Sequence, residues 1–197
     1  MGIAREQITG LVLAGGQGSR MGGLDKGLQL LRGKALVAHA VQRLAPQVGP
    51  VLISANRHLE QYAALGFAVV QDEGTERAGP LAGMLAGLRA CATPYLATVP
   101  CDSPGFPADL VAQLAQALTE NDAALAMACT AGGAQQSQPV FCLMHQRVCA
   151  SLAAFVQSGQ RKAELWAAQQ GCVQVLFPDA TAFFNANTLQ DLESLQR

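Results

Sequence analysis

Short apolar runs recur along the chain at residues 8–13, 51–54, 67–70, 95–99, 123–129, 140–144 and 173–177. They are compact and rich in β-branched or aliphatic residues, the pattern of strands buried on both faces. Between several of them the apolar positions fall at helical period, over residues 35–44, 81–90, 108–118, 148–157 and 188–196. Strand and helix therefore alternate. This predicts an α/β fold, a doubly wound, mostly parallel sheet covered by helices on both faces, with one reversed strand near Val140. The stretch AGGAQQS at residues 131–137 is the most loop-like interior segment. Neither a repeat nor a linker divides the sequence, and 197 residues suit one domain spanning 1–197.

In open parallel sheets, ligands bind beyond the carboxyl ends of the strands. Four segments leave predicted strand ends with polar or glycine content: residues 15–26, 54–57, 71–80 and 101–105. The first lies within LAGGQGSRMGGLDKGL, residues 13–28, which holds six glycines beside Arg20 and Lys26. Gly15, Gly16, Gly18, Gly22 and Gly23 let backbone N–H groups approach a ligand with no Cβ in the way, and such groups cradle phosphate oxygens. Two common phosphate fingerprints are absent. From Gly16, the dinucleotide pattern G-x-G-x-x-G requires glycine where Met21 stands. The ATPase pattern fails because the Gly33-Lys34 pair is followed by Ala35 and has Leu28 five places before the glycine. What remains is a longer loop with two fixed cations, suited to a triphosphate or a departing pyrophosphate. The plain alternative is a surface loop with incidental charges.

The other strand ends carry their own candidates. Asp102, in TVPCDSPG, follows a buried strand and offers a hard oxygen ligand to Mg²⁺, or else caps a turn with Ser103-Pro104. Asp72 can accept from amino or ribose donors, or simply shape a turn with Glu73-Gly74. Gly79-Pro80 places a helix N-terminus near these loops, either as an anion site or as ordinary helix initiation. Asn185 and Asn187 stand two residues apart before a C-terminal helix and can present on one side of an extended stretch, unless Asn187 caps that helix. Gln160-Arg161-Lys162 supplies positive charge for a phosphate or forms a solvated helix face.

Composition narrows the function classes. Thirteen basic against fourteen acidic residues give a formal charge of −1, which excludes a bulk electrostatic footprint for nucleic acid or an anionic membrane. Half the residues are apolar, yet no run approaches the roughly 18 uninterrupted apolar residues of a membrane span, and the first residues lack a secretory pattern. The six cysteines form no C-x-x-C pair, and the three histidines form no H-E-x-x-H pattern. Reduced, buried thiols in a cytoplasmic protein are the expectation. No G-x-S-x-G elbow is present either, so a serine nucleophile is not indicated.

The run Leu13-Ala-Gly-Gly-x-x-x-Arg20-Met-Gly-Gly-x-Asp-Lys26 resembles the signature of nucleotidyltransferases that build activated sugars and cofactors, most closely the molybdenum cofactor guanylyltransferase family. The likeness continues through Ser54-Ala-Asn-Arg57, Gln71-Asp72, Gly79-Pro-Leu-Ala-Gly-Met84, Val99-Pro-Cys-Asp102 and Asn185-Ala-Asn187-Thr188, and so covers nearly the whole chain. One position departs: Ser54 stands where the family usually has the first asparagine of Asn-x-Asn, keeping a hydroxyl but losing the amide's paired donor and acceptor. The resemblance implies a Rossmann-like nucleotidyltransferase that uses GTP, Mg²⁺ and molybdenum-loaded molybdopterin. Other cofactor-assembly proteins and molybdoenzymes are its implied partners, and neither nucleic acid nor membrane is. It implies nucleotide binding by Leu13, Ala14, Gly15, Gly16, Lys26, Ser54, Asn56, Asp72, Gly79 and Asp102, and catalysis by Arg20, Lys26 and Asp102. Asp102 would be the metal ligand, and Asn185 and Asn187 would face the pterin. A sister enzyme using CTP, or a sugar or lactyl phosphate acceptor, and a non-catalytic nucleotide-binding module are the competing readings.

Overall fold

A computed structural model of the chain describes residues 2–15, 24–72, 79–131 and 136–196. Seven strands form one sheet: β1 (Ile8–Leu13), β4 (Val51–Ser54), β5 (Ala68–Val70), β6 (Tyr95–Pro100), β7 (Leu125–Thr130), β8 (Gln136–His145) and β9 (Val173–Phe177), in the order β5-β4-β1-β6-β8-β7-β9. A small antiparallel pair, β2 (Leu30–Leu31) and β3 (Lys34–Ala35), stands apart. All pairings in the large sheet are parallel except those of β8, which runs against both β6 and β7. The sheet is therefore mostly parallel with one reversed strand, at the place the apolar pattern predicted.

Alternation along the strands divides the interior into two cores. Ile8 and Val12 of β1 and Ala97 and Val99 of β6 pack with α1 (Leu36–Leu44), α2 (Leu59–Ala63) and α4 (Leu110–Glu120). Leu11 of β1, Leu96 of β6 and Met127 of β7 face the other way, toward α3 (Pro80–Ala90), α5 (Cys149–Gln157) and α6 (Ala163–Gln169). Period-two burial on a strand whose two faces are both covered gives the near-continuous apolar runs seen in the sequence. A third, smaller cluster joins Leu31 and Leu36 to Ala186 and Leu192, the last on α7 (Leu189–Gln196). It fastens the C-terminal segment to the β2–β3 hairpin, and Arg32 adds a hydrogen bond to the Leu195 carbonyl.

Several boundaries differ from the sequence expectation. Strand β7 starts at Leu125 because residues 121–123 turn, with Asp122 at φ 49° and Ala123 N–H closing onto Leu118. Strand β5 starts at Ala68, its first partner to Leu52, after Gly66 ends the preceding turn at φ 84°. The expected loop at 131–137 gives up Gln136 and Ser137 to β8, where they pair with Thr130 and Cys129. The register then slips between Met127 and Ala128, so that Pro139, which has no N–H to donate, falls at the irregularity. Helices α2 and α6 and the β2–β3 hairpin were not legible as periods because each is only two to seven residues long. Residues 160–162 are the link into α6 rather than a helix face, and Arg161 donates to the Val156 and Gln160 carbonyls. All six cysteines are free thiols, four of them buried, and among the described residues no helix is long and apolar enough to cross a membrane.

Candidate active site

Strand order fixes where the site must lie. From β1 the chain crosses through α1 to β4 on one side, while α3 leads to β6 on the other, so the crossovers diverge at the carboxyl end of β1. Such a switch point leaves a crevice between the two loops. The four segments singled out in the sequence leave the ends of β1, β4, β5 and β6, which are neighbours. Backbone hydrogen bonds carry the parallel pairing past the strands proper: Ala14 N–H to Ser54, Ala55 N–H to Val70 and Cys101 N–H to Leu13. Leu13 and Ala14 thus sit between the two adjoining strand ends. Gly16 and Arg20 lie outside the described residues.

On the β4–β5 side, Gly15, Asn56 and Asp72 come together. A Cβ on Gly15 would stand 3.4 Å from the Asn56 amide nitrogen, and Asn56 Oδ1 accepts from the Asp72 backbone N–H at 3.2 Å. Gly15 and Asn56 are exposed and Asp72 is half-buried. Ser54 does not join them. It is 2% exposed and faces α3, where a Cβ on Gly83 would come 2.7 Å from its hydroxyl. Ser54, which the resemblance implies in nucleotide binding, is placed by strand parity on the same face as Leu52, under α3. Gly79 forms the N-cap of α3 at φ 67°, a backbone state that favours glycine, with Pro80 in the first turn.

On the β6 side, three residues far apart in sequence meet. Lys26 Nζ donates to Asp102 Oδ2 at 2.7 Å and to Asn187 Oδ1 at 2.8 Å. The ion pair is largely covered, with side-chain exposures of 19% and 16%. Lys26 opens a short 3-10 turn, Lys26–Leu28, capped by the Asp25 side chain on Gly27 N–H. Asp102 stands just beyond β6, and its carbonyl accepts from Ala186 N–H at 2.8 Å, holding the C-terminal segment against the strand end. The fully buried Ser103 adds a hydrogen bond from its hydroxyl to Asn185 Oδ1.

The C-terminal pair has divided roles. Asn187 does not cap α7. Thr188 Oγ1 accepts from Asp191 N–H, while the Asp191 carboxylate accepts from the N–H groups of Thr188 and Asn187, a reciprocal cap. The Asp191 carboxyl is held below its ordinary pKa, first by its hydrogen bond with Thr188 and, more weakly, by nearby Lys26. With capping done by Thr188, the Asn187 amide is left to Lys26, and Asn185 is tied to Ser103. Sequence reasoning missed Asp25, Ser103 and Tyr62, the last of which donates from its hydroxyl to Asp25 Oδ1 at 2.5 Å. Asp25 carried a signal by standing directly before Lys26; Tyr62, 37 positions away on a five-residue helix, carried none.

The burial of Cys101 pushes its thiol well above the ordinary range, with Asp102 adding to the shift and Lys26 opposing it, so it lies neutral beneath the ion pair. Chemically, the crevice offers an ammonium, a carboxylate and amide groups on one side, and open backbone with amide and carboxylate acceptors on the other. That arrangement suits a polyanion that also carries a hydrogen-bonding base.

Residues 10–173 match the family described as MobA-like NTP transferase domain. The chain is 55% identical over 194 residues to a molybdenum cofactor guanylyltransferase of Bordetella petrii, covering 98% of this chain and 99% of that one. Among solved structures, molybdopterin-guanine dinucleotide biosynthesis protein A from Archaeoglobus fulgidus superposes with a TM-score of 0.76 at 20% identity, over 95% of this chain and 96% of that one. The 4-diphosphocytidyl-2C-methyl-D-erythritol synthase of Anaerococcus prevotii shares the fold at a TM-score of 0.77 and 11% identity, covering 97% and 95% of the two chains.

Proposed function

This chain belongs to the MobA-like NTP transferase family, and we propose that it transfers GMP from GTP to the terminal phosphate of molybdenum-loaded molybdopterin, forming the guanine dinucleotide cofactor and pyrophosphate. The observation that carries the reading is the meeting of Lys26, Asp102 and Asn187, drawn from the glycine-loop end, the end of β6 and the approach to α7. The 55% identity to a guanylyltransferase favours guanine over the cytidine chemistry of the more distant structural neighbour.

In this reading one domain divides its labour, the N-terminal part holding nucleotide and the C-terminal part holding pterin. Gly15, Asn56 and Asp72 receive the nucleoside end. Loop N–H groups and Gly79 at the start of α3 face the phosphates. A terminal phosphate oxygen of the acceptor attacks the α-phosphorus, a new P–O–P linkage forms, and the bond to the β-phosphate breaks with its electron pair leaving on pyrophosphate. Lys26 and Arg20 stabilise the charge that develops on the departing oxygens. Asn187 holds the Lys26 ammonium in place and, with Asn185, borders the acceptor.

Asp102 is the residue that would hold a divalent ion. Among the described residues there is no group of three or more His, Cys, Asp or Glu that could cage a metal. An ion at Asp102 would then draw its other ligands from phosphate and water, a donor set that suits Mg²⁺. When bound, such an ion neutralises phosphate charge. Purified protein supplied with Mg²⁺ and molybdenum-loaded pterin should release pyrophosphate with GTP and not with CTP or ATP. Release with CTP would move the reading to the sister enzymes, and no release with any nucleotide would favour a binding module.

A further inference from the structure

Beneath the Lys26 turn lies a buried phenol that the transfer reaction does not use. Tyr62 is fully buried and belongs to the core under β1 and α1. Its hydroxyl meets Asp25 Oδ1 at 2.5 Å, and the same oxygen accepts from Gly27 N–H at 3.2 Å. One carboxylate oxygen therefore holds both the phenol and the backbone on the far side of Lys26. A Cβ on Gly27 would stand 2.4 Å from the Tyr62 oxygen and 3.3 Å from its ring, so the phenol packs directly against the turn. Asp25 is itself 8% exposed, and its carbonyl accepts from Gln29 Nε2 at 2.9 Å, which closes the turn from the other end. Burial, and after it the hydrogen bond to Asp25, push the Tyr62 pKa far above the ordinary range, so the phenol remains a donor at any working pH.

We propose that Tyr62 is a positioning residue for Lys26: its hydroxyl, through Asp25, fixes the turn that aims the Lys26 ammonium at Asp102, Asn187 and the phosphates of a bound nucleotide. The ammonium sits at the tip of a flexible four-carbon stem, and its use at a transition state depends on holding that stem in register. Asp102 and Asn187 hold the tip; Tyr62 and Asp25 hold the root. Glycine stands at position 27 where any side chain would have to displace the fully buried phenol.

The part of this that concerns phosphates rests on the nucleotidyl-transfer reading, so the test has one arm that needs no turnover. Tyr62→Phe keeps the ring and removes the hydroxyl. In the ligand-free protein, acetylation of Lys26 by sulfo-N-hydroxysuccinimide acetate, followed by peptide mass spectrometry, should rise at least threefold relative to other lysines. In the pyrophosphate assay, kcat should fall about tenfold while KM for GTP stays within twofold, a split that loss of packing alone would not give. Gly27→Ala should move both readouts in the same direction, and it decides the matter if Tyr62→Phe gives no cooperative melt. Unchanged Lys26 acetylation in the folded variant overturns the proposal, and so does an unchanged kcat. A wild-type protein that turns over no nucleotide would defeat the transfer reading instead and leave the acetylation result to decide this one.

Discussion

The two sides of the crevice are built to different standards. At the ends of β4 and β5, a 3.2 Å hydrogen bond joins exposed Asn56 to half-buried Asp72, with exposed Gly15 beside them. At the end of β6, Lys26 is held by two bonds of 2.7 and 2.8 Å, largely covered, above a second layer of Asp25 and Tyr62. The side that would receive the nucleoside is open, whereas the side that would handle charge is assembled in advance. The difference matches the roles proposed for each. Base contacts can form as ligand arrives, but an ammonium that stabilises charge in a transition state contributes most when it needs no reordering at that moment.

The largest effect that would test this contrast is on the preassembled side. Lys26→Ala should lower kcat/KM for GTP at least a hundredfold, read by pyrophosphate release, because it removes the only described cation that bonds both Asp102 and Asn187. A loss of less than tenfold would mean that the ion pair is structural. On the open side, Asn56→Ala should raise KM for GTP about tenfold and leave kcat within a factor of three, the mark of binding shared equally by ground and transition states. A fall in kcat without a change in KM would erase the distinction between the two sides. The smallest effect lies at the seam where β8 joins β6. There His145 stacks edge-on against Tyr95 at 5.0 Å, and its Nδ1 accepts from Arg147 N–H. Burial, and then Arg147, lower its pKa, so folding favours the neutral ring. Its contribution to stability is present above the unfolded value near 6.5 and is lost as pH falls through the depressed folded value. His145→Gln should therefore flatten the decline of Tm below about pH 6.5, by no more than a few degrees.

The open side was largely legible in the sequence, and the preassembled side only in its parts. Asn56 and Asp72 follow directly from strands whose ends an apolar run reveals, and the parallel order then sets them side by side. Ser54 shows the limit of that reasoning. Its place at a strand end suggested the crevice, but counting two residues from Leu52 puts it under α3, a parity that also accounts for glycine at position 83. On the charged side, Lys26, Asp102 and Asn187 were each identified, yet no local pattern states that they bond to one another, since their contacts span 76 and 161 positions. Tyr62 is harder still, because a five-residue helix has no measurable period and a buried tyrosine reads as core. The reversed strand was visible because its apolar run stands without a crossover helix before it, while its full length depended on pairing with β7 that no single segment encodes.

The span between Lys26 and Asn187 also has a meaning in time. A ribosome adding about 5–20 residues per second needs roughly ten to thirty seconds to make the 161 positions that separate them. Until Asp102 is made the lysine lacks both of its anchors, and from then until Asn187 is made it lacks one, while the first four parallel strands can emerge and associate. A nascent chain is thus able to align the ends of β1, β4, β5 and β6 before the asparagine that steadies Lys26 exists. The arrangement of Lys26, Asp102 and Asn187 is complete only when the C-terminal segment docks against the end of β6.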